Sequence, residues 1–155
     1  TDDVPEFNLF SKHPVYSRAR MLPPSKFKGT KLDSVIIADG CIINADEIKR
    51  SVIGIRSRIG KGTKISNCYV MGCDYYQTID EISGLSKTHR PITGIGDNCV
   101  IDTAILDKNC FIGNNVTIKG GQHLPDSDCA THTIKEGIIV VKKNAVIADG
   151  TVIGG

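Results

Sequence analysis

Gly54, Gly60 and Lys61, in "IGIRSRIGKGTKIS" (53–66), are the residue types of a loop that wraps nucleotide phosphates in backbone N–H groups. Their spacing does not suit that chemistry. Five residues separate Gly54 from Gly60 where such a loop has four, and Gly62 stands where a Ser or Thr would hold magnesium. His123 and His132 are the right residue type for a general base, as in acyl transfer. They lie in a polar stretch where a histidine is usually solvated. Six cysteines, Cys41, Cys68, Cys73, Cys99, Cys110 and Cys129, form no CxxC pair of the kind that holds zinc. No residue set for catalysis or for a metal emerges from the chain.

The glycines belong to a different pattern. Ile53, Ile59, Ile65 and Met71 recur every six residues, each followed by Gly or Ser. That period is neither the 3.6 residues of a helix nor the alternation of a single strand. It predicts an all-β fold, a left-handed parallel β-helix of hexapeptide repeats. Hexads begin at "IADGCI" (37–42) and "INADEI" (43–48), and a shortened step through "KRSV" reaches the regular run 53–70. Residues 71–94 break the period and predict an insertion loop. "IGDNCV" (95–100) resumes it, "IDTAI" (101–105) is one residue short, and "LDKNCF", "IGNNVT" and "IKGGQH" follow. A second, polar loop runs to about residue 137, before "VKKNAV" (141–146), "IADGTV" (147–152) and Ile153.

The first place of each hexad is aliphatic and the fifth is often small, so both point inward. Ile53, Ile59, Ile65, Ile112, Ile118, Val141, Ile147 and Ile153 are the expected core. Cys41, Cys99 and Cys110 take fifth places, which reads as reduced core cysteines rather than disulfides. The middle places make corners, where Gly, Asn and Asp accept unusual dihedrals. Three hexads close a triangular coil, and roughly four coils fit the chain. The domain organisation expected is an extended linker over 1–34, rich in proline, and the β-helix over 35–155.

A formal charge of +2, with four Phe, four Tyr and no Trp, excludes a strongly basic or stacking nucleic-acid surface. No apolar run is long enough to span a membrane, and no signal peptide is visible. The first residues, Thr1-Asp2-Asp3, lack a methionine, which fits a processed product or a piece of something longer.

Corner lysines are the remaining candidates. Arg58, Lys61 and Lys64 read as a solvated face that also discourages edge pairing. Lys108 and Lys143 are each the third residue of a hexad, those starting at Leu106 and Val141. If the second loop returns the chain to the same edge, Val141 stacks on Leu106, and the lysines share a corner about 4.8 Å apart. A phosphate or sulfate between them would turn mutual repulsion into attraction.

Segments outside the hexads resemble one family. "PEFNLF" (5–10), "YSRARMLPPSKF" (16–27), "SVIGIRSRIGKG" (51–62) and "VMGCDYY" (70–76) are similar to glucose-1-phosphate adenylyltransferase (ADP-glucose pyrophosphorylase). So are "IGDNCVIDTAILDKNCFIGNNVTI" (95–118) and "EGIIVVKKNAVIADGTVI" (136–153). The resemblance covers only the C-terminal β-helix domain of that family, which implies a missing nucleotidyltransferase domain before it. It implies a parent enzyme, acting in glycogen or starch synthesis, that joins ATP and glucose 1-phosphate with magnesium to give ADP-glucose and pyrophosphate. This domain would bind no cofactor and would be inactive alone. The implied partners are its own catalytic domain, further subunits of a homo- or hetero-tetramer, and a phosphorylated small-molecule effector. Neither nucleic acid nor membrane is among them. The implied location is the bacterial cytoplasm, with a plastid as the other possibility. Its activator-site lysines match Lys108 and Lys143, and its basic linker pair falls at Arg18 and Arg20. Members of that family usually have an apolar residue where Lys142 stands. The alternatives, a free-standing acyltransferase or a structural scaffold, share the repeat but not these segments.

Overall fold

The computed structural model describes residues 20–88 and 91–155. Its strands in chain order are β1 (Lys26–Phe27), β2 (Lys31–Ile37), β3 (Ile42–Ile43), β4 (Glu47–Ile53), β5 (Arg58–Ile59), β6 (Lys64–Val70), β7 (Gly94–Ile95) and β8 (Val100–Leu106). They continue with β9 (Phe111–Ile112), β10 (Thr117–Lys119), β11 (Ser127–Asp128), β12 (His132–Lys135), β13 (Ile138–Val141), β14 (Val146–Ile147) and β15 (Val152–Gly154). One helix, α1 (Ile79–Thr88), interrupts them.

Three faces arise from two kinds of strand. The two-residue strands form a six-stranded parallel sheet in the order β1-β3-β5-β7-β9-β14, which is the first face. The seven-residue strands β2, β4, β6 and β8 each contain a central residue with positive φ: Ser34 (56°), Arg50 (41°), Asn67 (53°) and Thr103 (53°). Each therefore bends in the middle and serves two faces. Their first halves make the second face, where β10 joins β8 through Ile118 opposite Ile101 and β15 joins β10. Their second halves make the third face, where β13 joins β8 through Val141 opposite Leu106.

Inside, the aliphatic first places stack in columns because the register repeats from coil to coil. Ile43, Ile59, Ile95, Ile112 and Ile147 form one such column, and Ile48, Ile65, Ile101, Ile118 and Ile153 another. All eight expected core residues are buried, none more than 6% exposed. Met71 is not a column member. It is 40% exposed, and Val70 takes the inward place opposite Leu106. The bend at Asn67 replaces a two-residue corner, so the step from Ile65 to the next column residue is five rather than six.

Fifth-place side chains close the interior with hydrogen bonds. Thr63 Oγ1 donates to the Gly96 carbonyl at 2.8 Å and accepts the Cys99 N–H at 3.1 Å. The Cys99 thiol donates to the Gly113 carbonyl at 3.1 Å, and the Cys41 thiol to that of Gly54 at 3.2 Å. The third places carry a second ladder. Lys61 N–H donates to Asp97 Oδ1 (2.7 Å), Asp97 N–H to Asn114 Oδ1 (2.8 Å), and Asn114 N–H to Asp149 Oδ1 (2.8 Å). A Cβ on Gly60 would lie 2.2 Å from Asp97 Oδ1, and one on Gly113 equally close to Asp149 Oδ1. Gly60, half of the phosphate-loop look-alike, is there to admit the side chain of the next coil.

Several expectations change. Coil pairing reaches back beyond residue 35: β1 pairs with β3 and β2 with β4, both parallel. Ser25 fixes this start, its hydroxyl donating to the Ala38 carbonyl and accepting the Cys41 N–H. The stack is consequently longer than the four coils expected, with six strands on the first face. The insertion is not all loop. Thr78 and Glu81 form a capping box, with Thr78 Oγ1 accepting the Glu81 N–H and the Glu81 carboxylate accepting the Thr78 N–H. That cap starts α1. The second loop contains an antiparallel hairpin, β12 on β13, with β11 beyond. Glu136 and Gly137 both have positive φ (50° and 78°) between Lys135 and Ile138, the geometry of a two-residue hairpin turn. Among the described residues no helix is long and apolar enough to cross a membrane.

Two substitutions test the stack. Ile59→Asp buries an unpaired charge in a column at 1% exposure and is expected to abolish cooperative thermal unfolding followed by circular dichroism. Thr63→Val keeps the size but strands a buried carbonyl and N–H, so urea titration should show a loss of about 1–3 kcal/mol.

Candidate functional site

The corner between the third and first faces carries the residues of interest. Here the N–H of each fourth-place residue donates to the third-place carbonyl of the neighbouring coil. Arg56 bonds Asp39 (3.1 Å), Cys73 bonds Ile55 (2.9 Å), Asn109 bonds Gly72 (3.1 Å) and Asn144 bonds Lys108 (3.0 Å). The third places thus run Asp39, Ile55, Gly72, Lys108, Lys143 up one edge. Lys108 and Lys143 occupy neighbouring rungs, with Val141 opposite Leu106 beneath them. Asn109 and Asn144 both have φ of 60°, the left-handed conformation that a short amide side chain tolerates. This turns the backbone sharply and leaves the preceding lysine at the apex.

The lysines do not face each other alone. Asp74 sits beside them, its Oδ1 accepting from Lys108 Nζ at 2.8 Å. Buried Asn109 holds it in place: Asp74 N–H donates to Asn109 Oδ1 (2.8 Å), and Asn109 Nδ2 donates to Asp74 Oδ2 (3.1 Å). The Lys108 ammonium and then the Asn109 amide hold the Asp74 carboxyl below its usual pKa, and the charge of Lys143 adds to this. Lys143 is exposed, and among the described residues no ion pair takes it. Its neighbour Lys142 is used elsewhere. The Lys142 ammonium meets Asp128 Oδ1 at 2.7 Å and the Cys129 carbonyl at 2.6 Å, pinning the hairpin to the last coils. Lys142 is therefore a structural clamp.

Sequence reasoning missed Asp74. Counting six from Ile65 makes Gly72 a second place, so the period gave no signal for Asp74; Gly72 joins the third-place column only because Val70, not Met71, points inward. Arg18 lies outside the described residues. Arg20 is exposed, and among the described residues no hydrogen bond or ion pair joins its side chain to the corner. His132 lies in β12 with its ring against Thr131 Oγ1 at 3.1 Å, and His123 is exposed. Five cysteines are buried and free, and Cys129 is free and exposed. Burial pushes the thiols of Cys68 and Cys73 up to about 11 and that of Cys110 to about 12, so these are inert core residues. Among the described residues no cluster of His, Cys, Asp or Glu is arranged to hold a metal. A cavity of about 710 Å³ lies against the first face, bordered by Arg58, Lys61, Asp97, Ile82 of α1, and Thr93.

Parallel coils with aliphatic columns inside and turn residues at three corners define a hexapeptide-repeat β-helix. The chain belongs to the family of the GLGC left-handed parallel beta-helix domain, whose model matches residues 20–152. This is consistent with the C-terminal domain of glucose-1-phosphate adenylyltransferase, and it assigns the coils a left-handed sense.

Proposed function

We propose that this chain is the regulatory and oligomerisation domain of a glucose-1-phosphate adenylyltransferase, an enzyme that makes ADP-glucose and pyrophosphate from ATP and glucose 1-phosphate. The observation that carries the regulatory part is the corner where Lys108 and Lys143 stand on neighbouring rungs. Two lysines on neighbouring rungs of one edge suit a phosphate-bearing effector, each able to give a charge-assisted hydrogen bond. Basic residues of the catalytic domain, together with Arg18 and Arg20 of the linker, complete the site in the parent. ATP and magnesium belong to that other domain, because this sequence contains no residue set for phosphoryl transfer.

An outward apolar ladder supports docking to a further domain or subunit. Ile36, Val52, Tyr69, Ile105 and Val140 face each other across successive strands of the third face. Ile36 is 70% exposed and Tyr69 47%. The corresponding outward row of the second face begins with Lys31, Glu47 and Lys64 and turns to Val100, Thr117 and Val152 in the later coils. A continuous apolar row of the kind on the third face is the pattern of a surface that is covered in the assembled protein.

Two outcomes follow. Purified alone and supplied with ATP, glucose 1-phosphate and magnesium, the chain should form no ADP-glucose above background. In the full-length enzyme, Lys143→Glu should raise the activator concentration for half-maximal activation by roughly tenfold or more. An unchanged activation curve in the Lys108→Glu/Lys143→Glu double variant removes the corner from regulation.

A further inference from the structure

The corner already contains an anion, and that anion belongs to the chain itself. Asp74 Oδ1 is 2.8 Å from Lys108 Nζ, at the place where an effector oxygen would pair with that lysine. We infer that Asp74 is a resident competitor for the effector's phosphate, and that phosphate engages both lysines only by displacing it from Lys108. This rests on the corner being the effector site, and extends it by naming the group that sets its affinity.

Three features support competition rather than a passing surface pair. First, Asp74 is pre-placed. Its N–H and its second carboxylate oxygen are both bonded to Asn109, which is 5% exposed and fixed by the coil backbone. A carboxylate held this way loses little freedom on pairing, and acts at an effective concentration of the order of millimolar or more. Second, both lysines feel it. Asp74 pairs directly with Lys108, and Lys143 is close enough for its charge to act on the carboxyl. Its negative charge offsets about half of the corner's positive charge, and so part of the attraction for any incoming dianion. Third, the arrangement is breakable. The side chains of Lys108 and Asp74 are 39% and 36% exposed, so water can replace either partner when the pair opens. Asp107 is the other carboxylate nearby, but its Oδ1 accepts the Lys108 N–H at 2.6 Å and so caps the backbone.

The location of Asp74 adds a consequence. It is the third residue after Met71, at the mouth of the excursion that leads through Tyr75 and Tyr76 to α1. Tyr76 anchors that excursion through its hydroxyl, which donates to the Gly40 carbonyl at 2.8 Å, and through Arg56 above its ring. Displacing Asp74 therefore loosens one of the contacts that hold this segment against the coils.

The test uses the chain as it stands, with inorganic phosphate as probe at constant ionic strength and shifts of the Asn109 and Asn144 amides as readout. Asp74→Asn preserves the shape and the bonds to Asn109 while removing the charge. It should bring half-saturation to a phosphate concentration at least about fivefold below that of the unchanged chain. Asp74→Ser, melted alongside it, guards against an effect of altered folding and should tighten binding in the same direction. Adding Lys143→Glu should abolish the shifts in either background. Equal affinity in the unchanged and Asp74→Asn chains, with Lys143 still required, overturns the competitor and leaves the effector corner standing. No shift in either chain overturns both, because an opened lysine pair that ignores phosphate had nothing to compete for.

Discussion

Backbone hydrogen bonding between successive coils is the constraint from which everything else in this domain follows. Along the third face alone, Ala38 bonds Ile53, Gly54 bonds Val70, Met71 bonds Leu106 and Asp107 bonds Val141. Parallel strands so joined keep a fixed spacing and a fixed register. Every residue therefore lies over its counterpart one coil away. Inward this makes aliphatic columns, and outward it makes rows of like position whose chemistry is compounded. The same bonds create the apolar ladder on one face and the Asx ladder at one corner.

Such a stack has to satisfy its own polar groups wherever it turns, and it does so in two ways. At the interior, small fifth-place residues with a donor, Thr63, Cys41 and Cys99, return a hydrogen bond to the carbonyl of the next coil. A buried carbonyl left without a partner costs more than the bond itself contributes, which is why these places favour a donor as well as small size. At the corners, Asp and Asn supply a side-chain acceptor to an N–H that the turn leaves free. In the last two coils the corners differ, with Lys108 and Lys143 in the third places that Asn114 and Asp149 hold at the neighbouring corner.

The hexad period made the columns legible without a structure, since Ile59 or Ile112 can face nowhere but inward once the period is six. It was least informative where the chain leaves the period. The start at Lys26 was hidden because a two-residue strand has no periodicity to read. Helix α1 was signalled only by its cap, Thr78 and Glu81, in a segment whose Gly84 argues against a helix. The hairpin was masked because "HTIKEGIIVV" merges into hexads on its C-terminal side. For the candidate site, counting hexads put Lys108 and Lys143 on one edge, but it could not supply Asp74. That residue comes from outside the repeat, and its partnership with Asn109 depends on how the excursion leaves the coil.

The excursion between Val70 and Gly94 also alters how proximity relates to sequence in this protein. It departs from one corner and comes back so that Ile95 still sits on Ile59. Extra length is thus shunted sideways while the column continues uninterrupted. A residue's neighbours are then decided by its address, meaning coil number and place within the hexad, rather than by distance along the chain. Asp74, Lys108 and Lys143 are brought together across separations of about one lengthened coil each. Inserting one further coil between Lys108 and Lys143 would leave every side chain chemically intact and the interior filled. It would nevertheless move one lysine to a different storey, so a change in repeat number can separate paired side chains in this fold without substituting either.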